Sequence, residues 1–247
     1  MRLRLDQLLH EKGFCESREK AQRSILAGRV LVNGETVTKV GTKILITSDI
    51  ILKEGERYVS RGGHKLEGAL HGFDINPTGL TCLDLGSSTG GFTDCLLQHG
   101  AKKVIGIDVG KGQLAWSLRQ HPQVEIREGI NARYLQPSDF TDLFDLIVGD
   151  LSFISLTRIL PAAFPLVKPE GSLIMLIKPQ FELSRNEISR GGIVRDPLLR
   201  DKAVHSIRTW VEHSGHCFEK VIESPLPGTT GNIEFLALLR PSTRTLS

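Results

Sequence analysis

The sequence has few cysteines and no long apolar run. Its four cysteines are scattered and include no Cys-x-x-Cys pair, so they predict neither a disulfide framework nor a zinc cluster: Cys15, Cys82, Cys95 and Cys217. No apolar run approaches the roughly 18 to 20 residues that span a bilayer. Residues 1–6 also lack the apolar core of a signal peptide. These absences predict a cytoplasmic protein with reduced thiols, no membrane segment and no metal.

A strong charge of either sign is also missing, since the chain carries a formal net charge of only +3. The excess is nevertheless concentrated. Residues 1–60 contain 11 Lys and Arg against 8 Asp and Glu, and the remaining residues are balanced. A basic segment of this kind indicates an acidic partner such as nucleic acid if its cations share one face.

The first sixty residues predict a small α+β domain. Leu5, Leu8 and Leu9 have helical spacing, and Ser17 is a good N-cap for a second helix. Asn33-Gly34 between two β-branched runs predicts a hairpin. We therefore place one domain and its linker in residues 1–60 and a second domain in residues 61–247.

Residues 3 to about 52 resemble the S4 RNA-binding domain. The resemblance is carried by Arg4-Leu5-Asp6, by Ser17-Arg18-x-x-Ala21 and by Ile25-x-x-Gly28-x-Val30-x-Val32-Asn33-Gly34. It implies a helical face that binds structured RNA through phosphate contacts. A face of solvated cations is the alternative. The residues predicted to contact RNA are Arg4, Arg18, Lys20, Arg23 and Arg29.

The second domain alternates predicted strands and helices. Helical patterns at 64–71, 92–99 and 198–214 accompany apolar runs at 81–85, 103–108, 124–127, 144–149 and 171–178. Such alternation indicates a parallel sheet covered by helices on both faces. Two final runs at 217–223 and 232–239 have a short connection, which predicts an antiparallel pair at the sheet edge.

The turn after the first of these strands is rich in small residues. Asp84 is followed by Gly86-Ser87-Ser88-Thr89-Gly90-Gly91 and then by a predicted helix. Glycines permit backbone to approach a ligand closely at a helix N-terminus. A turn that merely connects strand and helix is the alternative. The spacing matches neither the dinucleotide fingerprint nor a P-loop. Asp108 ends the next strand, so it would face the same crevice and could bind a ribose diol.

This loop together with Asp108 resembles the S-adenosylmethionine-dependent methyltransferase fold. The resemblance implies a Rossmann-like, seven-stranded α/β domain with S-adenosylmethionine as cofactor. A nicotinamide site is the competing interpretation, and the loop spacing and the final antiparallel pair disfavour it. Loop residues would lie near the methionine end, Asp108 near the ribose, and residues 128–132 near the adenine. The predicted cofactor-binding residues are Asp84, Gly86, Ser87, Gly90, Gly91, Asp108 and Asn131.

Four charged residues lie in or next to apolar elements of this domain. Lys65 is on the first helix, Asp150 and Lys178 end the fourth and fifth strands, and Glu234 lies in the last strand run. Such charges are costly unless paired, so an ion pair is the alternative to catalysis for each of them. Their order resembles the tetrad of FtsJ-like ribose 2′-O-methyltransferases. In that family Lys178 would be the base and Lys65 would contact the substrate, while both acids would hold the geometry.

An S4 domain followed by an FtsJ-like domain resembles the TlyA family, also called haemolysin A. The resemblance implies 2′-O-methylation of cytidine in ribosomal RNA, with ribosomal RNA or ribosomal subunits as partners. The S4 helix begins almost at residue 1, which favours the type that modifies the large subunit only. Two alternatives belong to other classes: a non-catalytic RNA-binding assembly factor, and a membrane-damaging cytolysin. The missing apolar span disfavours the second.

Overall fold

The structure is a computed structural model and describes residues 1–53, 55–189 and 191–242. The chain divides into two compact units, Met1–Arg57 and Tyr58–Ser247. Residues 58–60, which the sequence placed with the front domain, group with the second unit. Among the helices of the described ranges, none combines the length and apolar character that a bilayer crossing requires.

Within its described residues, the front unit contains two helices and five short strands. Its core is formed by apolar side chains of both helices and of β2, β4 and β5. β1 pairs antiparallel with β4, and β3, β2 and β5 form a second small sheet in that order. The elements are β1 (Arg2–Arg4), α1 (Leu5–Glu11), α2 (Arg18–Leu26), β2 (Val30–Val32), β3 (Glu35–Thr36), β4 (Lys43–Leu45) and β5 (Ile50–Leu52).

Local signals in the front unit act as the sequence predicts. The Ser17 hydroxyl accepts a hydrogen bond from the backbone N–H of Lys20 at 3.2 Å, which caps α2. Asn33 and Gly34 have positive φ angles of 51° and 84°, as a two-residue hairpin turn requires. β1 was not predicted, because its three residues carry no strand pattern of their own and pair only with distant β4.

The second unit is an α/β domain built on seven strands. The strand order is β11-β12-β10-β9-β6-β7-β8, with β12 antiparallel to both of its neighbours. The strands are β6 (Thr81–Leu85), β7 (Lys103–Asp108), β8 (Val124–Glu128), β9 (Phe144–Gly149), β10 (Val167–Ile177), β11 (Cys217–Glu223) and β12 (Phe235–Arg240). The helices are α3 (Gly62–Phe73), α4 (Gly91–Gln98), α5 (Trp116–Arg119), α6 (Leu160–Ala163), α7 (Pro179–Glu182) and α8 (Pro197–His213).

Alternating side chains of the strands build a core on each face of the sheet. Cys82 of β6 packs in one core with Leu66 of α3 and Leu96 of α4. Leu83, the next residue, points to the other core, which includes Ile207 of α8. The helical cover is thinner than predicted on the path from β7 to β9. There α5 spans four residues, and two 3₁₀ turns follow β8.

The final strand pair is antiparallel and lies at the edge of the sheet, as predicted. β12 lies between β10 and β11, so β11 forms the edge. β12 also begins at Phe235, which leaves Glu234 just before the strand rather than within it. β10 ends at Ile177, and Lys178 follows directly. The ends of β6, β7, β9 and β10 thus bring their loops to one side of the sheet, as parallel pairing requires.

Candidate active site

The loop between β6 and α4 is folded so that glycine is required at two positions. Gly86 has φ +81°, and a Cβ there would lie 2.9 Å from the carbonyl oxygen of Asp150. Gly90 has φ +97°, and a Cβ there would collide with Leu114 and Leu118. Both residues adopt a left-handed conformation that other side chains rarely tolerate. The loop therefore exposes its backbone closely beside the end of β9.

Asp108 organises this loop and borders a cavity. One carboxylate oxygen, Oδ2, accepts the backbone N–H of Ser88, and Oδ1 accepts that of Gly110, each at 2.7 Å. A cavity of about 510 Å³ adjoins Asp108 and also Asn131. The Asn131 oxygen caps a 3₁₀ turn by accepting the N–H of Arg133 at 3.1 Å. Each oxygen of Asp108 keeps a further lone pair with which a ligand hydroxyl could bond.

Asp84 lies below the loop and lines neither this cavity nor the one described next. Its side chain is fully buried, and Oδ2 accepts a hydrogen bond from the Thr93 hydroxyl at 2.7 Å. Burial raises the pKa of Asp84 to about 7, against the Thr93 hydrogen bond that lowers it, and the Asp150 charge raises it further. Gly90 also lines neither cavity. Its contribution to the site is therefore the backbone conformation of the loop.

The second cavity, of about 400 Å³, holds the four charged residues singled out in the sequence. Lys65 Nζ lies 2.5 Å from Glu234 Oε2. Lys178 Nζ lies 2.6 Å from Asp150 Oδ1. Lys65, Lys178 and Glu234 are buried. Each buried charge is therefore compensated by a partner, and the structure brings all four residues together as two lysine–carboxylate pairs.

Ser152 is a site residue that the sequence interpretation missed. Its hydroxyl oxygen lies 2.8 Å from Lys178 Nζ, from which it accepts a hydrogen bond, and it lines both cavities. Asp150 and Ser152 thus fix the Lys178 amino group from one loop. The sequence shows only an Asp-x-Ser pattern after an apolar strand. This pattern indicates a site residue only once the end of β10, with Lys178, is known to lie beside it.

The two cavities adjoin. Gly86, Ser88, Asp150 and Ser152 line both of them. The cavity beside Asp108 is therefore continuous with the cavity that holds the lysine–carboxylate pairs.

The site has features that suit a nucleoside-bearing cofactor. The Ser87 hydroxyl is buried beside the second cavity, and no described residue hydrogen-bonds to it. Gly86 leaves space that a Cβ would fill, and Asp108 offers carboxylate acceptors. An orphaned buried hydroxyl is costly, so a bound polar group would satisfy it. Gly86, Ser87, Gly91, Asp108 and Asn131 are the predicted residues that could hold such a ligand.

Two polar side chains support the loops around the lysine pairs, the buried Asn232 and the half-buried Glu182. Asn232 accepts the N–H of Val194 at 2.8 Å and donates to the carbonyl of Gly192 at 2.9 Å. These bonds tie residues 192–194 to the residues that precede β12, close to Glu234. Glu182 accepts from the Ser155 hydroxyl at 2.5 Å and from the N–H of Leu156 at 2.9 Å. Burial raises the pKa of Glu182.

In the front unit, three of the five predicted RNA-contacting cations pair with acidic side chains. Arg4 and Arg18 both bond to Asp6, which is fully buried, at 3.0 and 2.9 Å. Burial raises the pKa of Asp6, but the hydrogen bonds from Gln22, Arg4 and Arg18 hold it well below its usual range. Lys20 pairs with Glu16.

Arg23 and Arg29 share a pocket with Lys20. It has a volume of about 370 Å³. The guanidinium of Arg29 donates to the Ser24 hydroxyl at 3.1 Å, while its Nε is buried and bonds to no described residue. The pocket thus gathers three of the five predicted cations.

Comparison with known families accounts for both units. Residues 58–240 match the model for FtsJ-like methyltransferases. Residues 3–51 match the model for the S4 domain. The chain as a whole therefore combines two described family models in the order that its sequence predicts.

Named relatives resemble the chain along nearly its full length. It is 45% identical to Hemolysin A of Brachyspira hyodysenteriae, over 95% of this chain and 98% of the relative. It is 43% identical to the 16S/23S rRNA (cytidine-2′-O)-methyltransferase TlyA of Mycobacterium tuberculosis, over 98% and 91% respectively. The solved structure of a hemolysin-named protein from Streptococcus thermophilus superimposes with a TM-score of 0.75 at 43% identity, over 98% and 89%.

Proposed function

The chain belongs to the FtsJ-like methyltransferase family, and from this premise we propose that it methylates the ribose 2′-hydroxyl of a cytidine in ribosomal RNA. The proposal takes its reaction from the activity for which the Mycobacterium tuberculosis relative is named. It takes S-adenosylmethionine as the cofactor from the same family. The observation that carries it is the pair of lysine–carboxylate contacts on a cavity that adjoins the glycine loop.

The cofactor would occupy the side of Asp108. Gly86, Gly91 and the Ser87 hydroxyl would hold its amino-acid end, Asp108 its ribose, and Asn131 would lie near its base. When bound, S-adenosylmethionine supplies a methyl group activated by a positively charged sulfur. The remaining requirement on the protein is to bring one hydroxyl oxygen into line and to take its proton.

Lys178 is the proposed acceptor of the hydroxyl proton. Asp150 and Ser152 fix its Nζ at 2.6 and 2.8 Å, so the amino group has a defined direction toward the cavity. A lysine removes a proton only as the free amine, so the Lys178 ammonium would have to release a proton before it takes that of the hydroxyl. Lys65 is the second cation on the same cavity, and Glu234 holds it. Such fixed positions also align the oxygen, which lowers the barrier by itself.

Other methyl-transfer chemistries fit the residues less well. Amino-group methylation commonly uses an Asp/Asn-Pro-Pro-aromatic motif, and the corresponding segment here has the sequence Gly149-Asp150-Leu151-Ser152-Phe153. Methylation of pyrimidine C5 needs a nucleophilic cysteine. No cysteine is among the described residues that line the two cavities. A ribose hydroxyl is therefore the acceptor that the site favours.

The front unit is the proposed source of RNA affinity. Arg23, Arg29 and Lys20 would contact phosphates at their pocket. Arg4 and Arg18 would combine such contacts with the structural pairing to Asp6. Phosphate contacts provide affinity and register, while the lysine cavity selects the reacting hydroxyl.

The assignment of Lys178 is tested with a matched pair of variants. Lys168 lies on β10, the strand that Lys178 directly follows. Its Nζ pairs with Asp145 at 2.6 Å, but Lys168 lines neither cavity. In single-turnover assays with saturating RNA and cofactor, Lys178→Ala should slow methylation by about 10²–10⁴-fold. Lys168→Ala should stay within about threefold of the parent. RNA binding, followed by fluorescence anisotropy, should be unchanged in both.

The two alternatives predict different results. A non-catalytic assembly factor would bind RNA without binding S-adenosylmethionine in calorimetry, and Lys178→Ala would then change nothing measurable. A cytolysin would lyse erythrocytes as purified protein. Retention of more than about a tenth of the parental rate by Lys178→Ala would contradict the assigned role.

A further inference from the structure

The outer side of the packed helices α3 and α4 carries a cluster of metal-ligand side chains. Glu67 and His71 lie one helical turn apart on α3, and His99 is the C-cap residue of α4. One donor atom from each of the three lies within 4.8 Å of the others. We propose that Glu67, His71 and His99 bind a divalent transition-metal ion, with Zn²⁺ as the preferred occupant.

The geometry of His99 favours this role. Its Nδ1 lies 2.8 Å from the carbonyl oxygen of Cys95. A carbonyl oxygen can only accept, so Nδ1 carries the hydrogen and Nε2 of the neutral ring keeps its lone pair. A histidine that ligates a metal is usually oriented in this way, through a hydrogen bond from its other nitrogen to a carbonyl or carboxylate. The ring is therefore already held in the tautomer that binds metal through Nε2.

The donors come from two elements whose relative position is fixed by the core. Leu66 and Leu70 of α3 pack against Leu96 of α4 on the sheet, which leaves the next face of α3 to Glu67 and His71. The His71 and His99 rings meet edge to face, with centroids 6.2 Å apart. Little rearrangement is needed to bring their nitrogens onto one ion, so the ordering cost of binding is small.

The ligand set indicates the class of metal. Two imidazoles and one carboxylate form a three-ligand site that leaves a position for water, an arrangement that zinc commonly adopts. The two nitrogen donors disfavour Mg²⁺ and Ca²⁺, which prefer oxygen ligands. A groove of about 540 Å³ borders Glu67 and His71, so the open position would have room for water.

The site differs from the prediction of no metal, which rested on the cysteine pattern. Its ligands lie on two helices and follow no known spacing motif. It is also separate from the cavity of the lysine pairs, since none of the three residues lines that cavity. A bound ion would link α3, which carries Lys65, to α4, and so would stabilise the second unit.

The test uses the untagged full chain after treatment with a chelator. Titration with ZnCl₂ in a non-coordinating buffer should give one equivalent of bound ion by calorimetry. The melting temperature should rise by about 5 °C at a hundredfold excess over Kd. Co²⁺ should give the visible absorption of a site with nitrogen and oxygen ligands. His71→Ala and His99→Ala should each weaken Zn²⁺ binding by at least about tenfold.

Two further variants make the outcome decisive. His205 is an exposed histidine of α8, on the other side of the sheet, so His205→Ala should bind Zn²⁺ as the parent does. Glu67→Gln removes a ligand with little change in shape, and it should weaken binding while circular dichroism remains parental. No bound equivalent in the parent, or parental affinity in both His99→Ala and Glu67→Gln, would overturn the proposal.

Discussion

The buried carboxyl of Asp84 gives a stability prediction that depends on pH. Burial raises its pKa in the folded chain from 3.8 to about 7. Between these values the unfolded chain ionises first, so the free energy of unfolding falls as pH rises through this window, and the loss is complete above pH 7. Below pH 3.8 both states are protonated and the carboxyl contributes no penalty. Asp84→Asn cannot ionise and should escape the loss.

The size of the effect follows from the shift. About three pKa units at 1.36 kcal/mol each give a full penalty of about 4 kcal/mol. Most of it lies within an accessible range: between pH 5 and pH 8 the free energy of unfolding of Asp84→Asn should gain about 2.5 kcal/mol on the parent. Urea denaturation of both proteins at each pH measures this difference.

Asp145 provides a control with the opposite sign. Burial raises the pKa of Asp145, but hydrogen bonds from Lys168 and from the N–H of Thr81 lower it by more. The net shift of this pKa is therefore downward. Its stabilisation is present above the unfolded pKa and is lost only as pH falls below that range. The difference between Asp145→Asn and the parent should therefore stay constant from pH 5 to pH 8. A constant difference for Asp84→Asn as well would refute the reasoning.

Three further variants test other parts of the account. Gly90→Ala should weaken S-adenosylmethionine binding by at least about tenfold in calorimetry, because a Cβ would collide with Leu114 and Leu118 at a positive φ; parental affinity would contradict the need for glycine. Asn232→Ala leaves the N–H of Val194 unbonded in a buried place and should cost about 1–3 kcal/mol of unfolding free energy, whereas Asn76→Ala, at an exposed turn, should cost less than about 1 kcal/mol. Arg23→Ala should weaken RNA binding and lower the salt dependence by about one counterion; an equal effect of Lys39→Ala, an exposed cation of the same unit that is absent from the pocket, would argue against a specific phosphate contact.

The parts of the site that the sequence predicts are those set by local patterns. Apolar runs mark the ends of β6, β9 and β10, so Asp150 and Lys178 could be placed at strand ends from the sequence. Parallel strands then bring those ends together, which is why the four charged residues could be expected on one side of the sheet.

The remaining features depend on contacts between distant segments. Ser152 belongs to the site because it contacts Lys178, and Asn232 because it contacts the segment Gly192–Val194. Neither contact produces a periodic pattern in the sequence. The position of β12 between β10 and β11 is a matter of strand order, which local strand propensity does not determine. The cluster of Glu67, His71 and His99 likewise exists only after α3 and α4 have packed.

The central claim is that the site transfers a methyl group to a ribose hydroxyl of RNA. The most direct measurement is a nucleoside digest of ribosomal RNA after incubation with the protein and S-adenosylmethionine carrying a labelled methyl group. The label should appear in 2′-O-methylcytidine, and the Lys178→Ala protein should give at least about a hundredfold less in the same time. Label on a cytosine base, or equal label with Lys178→Ala, would contradict the account.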